Sequence, residues 1–276
     1  MGAAAKQPAM AWRPERRPAI QGHERGIEMT ESETGTGWTP VVVGSSEAAT
    51  PATRADLIDS VTRIDRAIKE RRETDQPLIN WWLYFLFVSW ITFGFYGLYL
   101  FFKRINRIDA FSARKRAYYR ALLEWTRRQA AGHERAGEIE AELQDLETAV
   151  AFAYGHELRP IRAGRSFLLT LVTLGIYGYV VLYRENRYWW DAQVVEQDFD
   201  DRLSQLWTAL GIIRYPITYA ADRSKRRSFP LYLILSIVTL GIWGLVWDYK
   251  IHTDPDRLFG EFHAVEDSVL QTVRTH

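Results

Sequence analysis

The chain has no cysteine among its 276 residues. Disulfides, thiolate metal sites and cysteine nucleophiles are thereby excluded. Net charge is nearly absent too: 35 Lys and Arg stand against 34 Asp and Glu, a balance of +1. No global field marks nucleic acid as a partner. The histidines His23, His133, His156, His252, His263 and His276 fall at no metal-finger or HExxH spacing. There is no Walker loop, and no GxGxxG follows a strand pattern. The first thirty residues lack the roughly 7–15-residue apolar core of a signal peptide. No convincing strand is present; Val41, Val42 and Val43 form the one β-like stretch. The expected fold class is all-α.

What the chain does have is three apolar runs, at 78–102, 167–183 and 229–247. Each breaks around one phrase. It reads Thr92-Phe93-Gly94-Phe95-Tyr96-Gly97, then Thr173-Leu174-Gly175-Ile176-Tyr177-Gly178, then Thr239-Leu240-Gly241-Ile242-Trp243-Gly244. Ser89, Thr170 and Ser236 stand three residues before each Thr. An aromatic-cation pair follows each phrase: Phe102-Lys103, Tyr183-Arg184 and Tyr249-Lys250. Such self-similarity is a repeat architecture. Aromatics make up 14% of the chain and cluster at the run edges, as membrane interfaces favour. The mean hydropathy of −0.23 leaves more than half the chain in water.

Between the runs lie amphipathic stripes: Leu57, Val61, Ile64 and Ile68; Phe111, Tyr118, Leu122 and Trp125; Ile139, Leu143, Leu146 and Val150; Phe199, Leu203, Leu206 and Leu210; Leu258, Phe262, Val265 and Val269. Their three- and four-residue steps predict helices that pack in a bundle or coiled coil, within or between chains. Separate helices are expected to start near Thr53 and Ile108. Residues 1–53 read as a disordered tail rich in Pro, Gly, Ala, Thr and Glu, with Met29 resembling a natural start. The domains are then the tail, repeat one at 54–130, repeat two at 134–214 and repeat three at 215–276.

Both flanks of every run are basic: Arg71, Arg72, Lys103 and Arg104; Arg162, Arg165, Arg184 and Arg187; Arg226, Arg227 and Lys250. Single crossings place such flanks alternately on opposite sides, against the positive-inside bias. A segment that enters and leaves on one face keeps them together. The paired Gly can make that turn, since Gly accepts positive φ, and the preceding Ser and Thr can satisfy freed carbonyls. The alternative is three spanning helices, with the Gly used for packing. No ionisable residue falls inside an apolar run, which weighs against an ion pump or proton-coupled transporter.

In this motif the sequence resembles uncharacterised prokaryotic membrane proteins that carry repeated Thr-Leu-Gly-Ile-Tyr-Gly domains, a domain of unknown function. Repeats two and three match almost letter for letter; repeat one departs at Phe93 and Phe95. The resemblance covers roughly 78–110, 166–192 and 228–257. It implies an integral membrane location and carries no activity with it.

The expected function is an integral membrane scaffold or membrane-shaping anchor without catalysis. The lipid bilayer is its partner, and self-association through the stripes is possible. The cell membrane is its place, with the helical regions mainly cytoplasmic. The alternative is a channel or transporter subunit with three spanning helices. A lipid enzyme would have only Ser112, His252, Asp254 and Asp256 to work with, and Ser112 with Lys115 matches SxxK without the companion motifs. No cofactor, metal, nucleic acid or small-molecule ligand is expected.

Overall fold

The computed structural model describes residues 54–276 except Gly94, Gly132, 218–220 and 222–225. The expected tail at 1–53, with Met29 and the β-like triplet, lies outside the described residues. The described chain is helical and has no strand. Helix α1 is Arg54–Lys69. Helix α2, at 81–91, contains a π-helical turn, Tyr84–Val88. Then follow α3, Phe95–Ala130; α4, Ala136–Phe152; α5, Ala163–Val172; α6, Ile176–Ala209; α7, Phe229–Val238; and α8, Ile242–Thr275.

Separate helices were expected after each apolar run, beginning near Ile108 in the first repeat. Instead the second half of each run continues unbroken into the amphipathic stripe. The reason is local: from Leu98 to Ala130 and from Tyr179 to Ala209 there is neither Gly nor Pro. Composition changes there from apolar to charged, but nothing stops the helix. In α8 the helix runs through the buried Pro255. At 34 to 36 residues, α3, α6 and α8 are each about 50 Å long.

These three long helices form the centre of the molecule, parallel and in register. Twelve residues after each motif Thr, Arg104 Nε pairs with Glu185 at 3.0 Å, and Ile251 holds the third equivalent position. Nineteen residues after it stand Phe111, Ala192 and Leu258, all fully buried. At the twenty-third, Lys115 Nζ lies 2.6 Å from Glu196 and 4.9 Å from the Phe262 ring centre. At the twenty-seventh, Tyr119 Oη donates to Asp200, and Glu266 takes the third place. Leu122, Leu203 and Val269 form the next level, and at the thirty-fourth Trp207 Nε1 donates to Thr126 Oγ1 at 2.8 Å. Side chains at equal distances from their motifs meet across one axis, as in a three-stranded coiled coil. Two successive four-residue steps, from Phe111 to Lys115 to Tyr119, interrupt the heptad at the charged layers.

The remaining helices cover this core. Helix α1 buries Ile64 and Ile68 against α3, with Arg63–Glu124 and Arg274–Asp65 ion pairs at its rim. Helix α4 buries Ile139, Leu143, Leu146 and Val150, and Arg202 of α6 reaches its Glu142. The stripes expected to drive packing are therefore spent within one chain.

Candidate functional site

Each motif folds as a tight turn between two helical arms, and the turns are near copies. The Thr serves both arms. Thr173 Oγ1 donates to Leu169 O at 2.7 Å and accepts from Tyr177 N at 2.9 Å. Thr239 does the same between Leu235 O and Trp243 N. Thr92 does so between Val88 O and Tyr96 N. One hydroxyl thus closes the end of the first helix and caps the start of the second. Gly175 N and Gly241 N then reach back to Thr170 O and Ser236 O, each at 2.7 Å. This is the bond that closes a left-handed helix end.

Gly175 and Gly241 sit at φ +92°, a region that favours glycine. Gly94 lies outside the described residues. The second Gly has another purpose: a Cβ on Gly178 lies 3.4 Å from Thr170 Cγ2, and one on Gly244 lies 3.7 Å from Ser236 Oγ. On Gly97 it meets Tyr84 Oη at 3.1 Å. In repeats two and three the second Gly and the Ser or Thr before the motif are thus the two sides of one close contact between arms.

The residue between Thr and Gly went unread in the sequence. Phe93, Leu174 and Leu240 all adopt φ +50°, left-handed and strained for a bulky side chain. They are also the most exposed large apolar residues described, at 91%, 94% and 94%. Their recurrence as bulky residues at one motif position was the available signal. The exposure extends down the arms. Among the described residues, every exposed large apolar side chain lies on these hairpins except Ile58, Phe152, Val194 and Tyr215.

The turn splits every apolar run, and α5 and α7 have only ten residues each, about 15 Å. No helix among the described residues is long and apolar enough to cross a membrane. The reading of three spanning helices, with its transmembrane assignment, is corrected on that ground. Sequence hydropathy counted both arms as one segment, whereas the chain doubles back.

At the hairpin bases each aromatic anchor packs edge-on or tilted against a neighbouring ring. Phe102 meets Phe167, Tyr183 meets Phe229 and Tyr249 meets Trp81, with ring centres 5.0 to 5.3 Å apart. The three contacts close a ring. With the parallel long helices they bring all three tips to one end of the molecule. The cations beside them divide. Arg104 bridges Glu185 and Asp248, Arg71 pairs with Asp267, and Arg227 pairs with Asp254. Lys103 lies over the Tyr99 ring at 5.8 Å, and Arg184 donates to Arg159 O. Lys250 is half-buried, while Arg162, Arg165, Arg187 and Arg226 are exposed.

Arg114 and Lys115 are buried at the centre of the bundle. Arg114 forks to Glu266 and Asp75, and Lys115 holds Glu196 and Glu266. Burial works against the Lys115 ammonium, but the two carboxylates outweigh it and raise its pKa. The Lys of the SxxK match is thus a held cation, and Ser112 Oγ lies 2.5 Å from Tyr188 Oη. Burial pushes the Glu196 carboxyl up to about 8 despite Lys115, and Asp200 to about 6.

Of His252, Asp254 and Asp256, the first and last line one crevice and Asp254 does not join them. His252 Nε2 contacts Ile79 O at 2.6 Å, Asp254 faces Arg227, and Asp256 faces Arg107. Burial lowers the His252 pKa, so the ring is neutral at pH 7. No group of residues suited to a metal ion occurs among the described residues.

Residues 227–272 match a family described as a domain of unknown function (DUF4234). The matched stretch spans the third hairpin and nearly all of α8, so the region similar to that family is one hairpin with its long helix. No curated protein and no solved structure matches the chain.

Proposed function

We propose that the protein is a non-catalytic membrane scaffold that dips three helical hairpins into one leaflet and holds its helical bundle at the cytoplasmic face of the cell membrane. The observation that carries this reading is the trio Phe93, Leu174 and Leu240. Each is apolar, strained and almost wholly exposed. A water-facing turn is more stable with Gly or Asn at such a position, so the apolar side chain costs the fold twice. Lipid offsets both costs. Burying three such side chains yields roughly 5–9 kcal/mol, before the flanking arm residues are counted. Arms of about 15 Å match half of a hydrocarbon core of about 30 Å. Apolar wedges in one leaflet bind in a curvature-sensitive way, which suits a shaping or anchoring role.

Fractionation tests it. The parent protein should stay with membranes through high salt and alkaline carbonate. A Phe93→Asp, Leu174→Asp, Leu240→Asp variant should move to the supernatant while keeping the helical circular dichroism of the parent. Release of the parent by salt alone, or retention of the triple variant after carbonate, would overturn the reading.

A further inference from the structure

The hairpin bases share a plan but not a charge. At the junction of hairpins three and one, a crevice of about 290 Å³ is lined by Trp81, Trp82, Tyr249, His252 and Asp256 and, among the described residues, by no Lys or Arg. At the base of hairpin two and its junction with hairpin three the picture reverses. Two adjoining crevices, of about 430 and 500 Å³, share Tyr183, Arg187, Trp190 and Asp191. Arg159 and Arg184 line the first, and Arg226 and Arg227 line the second. Among the described residues, five guanidinium groups therefore face two carboxylates, Glu157 and Asp191. Asp191 is already held by Arg187 at 2.7 Å, and Arg227 by Asp254. Arg159, Arg184 and Arg226 remain, with Glu157 the one carboxylate left against them.

Two further features point to an anion. The first turn of α7, from Ser228 to Pro230, lines the second crevice, and Ser228 makes no side-chain cap. The Phe229 amide and the helix dipole add positive potential there, Pro230 having no N–H to offer. The height fits as well. Arg184 lies ten residues below the tip residue Leu174, about 15 Å along α6. A hairpin sunk through one hydrocarbon leaflet brings that level to the headgroup phosphates. Tyr183 and Trp190 supply the amphipathic rings favoured at this depth.

We infer that these adjoining crevices bind the phosphates of anionic glycerophospholipids, with Arg184 the principal contact in the first and Arg226 in the second. The inference rests on the membrane reading above and adds a lipid preference to it. In flotation at 0.15 M salt, the full-length protein should bind vesicles of phosphatidylcholine with one-quarter phosphatidylglycerol more tightly than pure phosphatidylcholine vesicles. Lys103 and Lys250 occupy the same repeat position as Arg184, so K103Q/K250Q removes equal charge at the other two bases. R184Q/R226Q should lose roughly tenfold more of the phosphatidylglycerol preference than K103Q/K250Q does, since a diffuse field gives equal losses. Arg226→Gln alone, at an exposed position, should shift the same way by less.

Equal losses in the two double variants, or a parent with no preference, overturn the headgroup site and leave the membrane reading standing. A parent that floats with neither vesicle overturns both. Millimolar inorganic phosphate distinguishes the source: loss of the preference in its presence assigns the crevice to a soluble anion and overturns the lipid assignment, whereas persistence supports it.

Discussion

Leu174 at φ +50° carries a conflict between stability and exposure. A left-handed conformation costs a bulky residue roughly 1–2 kcal/mol, and Asn tolerates it better. Leu174→Asn and Leu240→Asn should therefore each stabilise the protein by about 1 kcal/mol in detergent, read as a rise in Tm. The same changes should weaken vesicle binding. A fall in both quantities would show that the side chain packs in the fold rather than in lipid. The neighbouring glycine gives the opposite sign. Gly175→Leu forces a side chain into φ +92° and should cost about 1–2 kcal/mol although the space around it is open. Gly164→Ala, on the ordinary helical backbone of α5 with nothing within 4 Å, should be neutral or stabilising by up to about 1 kcal/mol. Equal effects at the two positions would remove the conformational argument.

The long helices show what could and could not be read from the sequence. The Thr and the paired Gly mark the turns, and the apolar steps in α1 and α4 mark their buried faces. The continuity of α3, α6 and α8 was hidden because the change from apolar to charged residues resembles a boundary. The charged layers were hidden because Lys115, Glu196, Asp200 and Glu266 look like surface, though they occupy core steps of the repeat. Their titration is measurable. In the folded protein Glu196 holds its proton up to about 8 and Asp200 to about 6, chiefly through burial. Free carboxyls lose it near 4. The folded state thus binds more protons between pH 4.5 and 8, and these two groups stabilise it at the acid end of that window and less as pH rises through the folded pKa values. The slope is at most about 1.4 kcal/mol per pH unit per group. Glu266, lowered by Lys115 and Arg114 against its burial, acts in the opposite sense below its ordinary range. Denaturant unfolding in detergent should therefore show higher stability at pH 5.5 than at pH 8. Glu196→Gln, which cannot titrate, should flatten the upper part of that slope, and an unchanged slope would mean Glu196 is ionised throughout. Lys115→Met leaves the buried Glu266 carboxylate to Arg114 alone and removes the cation beside Glu196, so it should destabilise the fold and raise the pH through which Glu196 titrates.

At the scale of the whole molecule, the pseudo-threefold ring of hairpins turns a question of topology into one of symmetry. Each hairpin begins and ends at the same end of its long helix, and the edge-on and tilted aromatic contacts at the bases join all three. If the tips enter one leaflet, every residue outside the hairpins faces a single compartment. The absence of native cysteine makes this directly testable. Single cysteines can be placed before and after each turn at exposed positions: Glu73 and Asn106, Gly164 and Val194, Ser228 and Arg257. In sealed vesicles prepared from cells, all six should react with an impermeant maleimide from the same side. Cysteines at Leu174 and Leu240 should be shielded until detergent is added, although these are the two most exposed large apolar residues among those described. Gly175→Leu with Gly178→Leu provides the contrast. It disfavours the left-handed turn and crowds Thr170, so the second run is driven toward one straight helix. Seventeen apolar residues reach about 26 Å, enough to cross with Arg165 and Arg184 at the ends. In that background the pair Gly164 and Val194 should split to opposite sides while the other two pairs stay together. A split already present in the parent would mean that the second run crosses on its own, and the one-leaflet arrangement would fall with it.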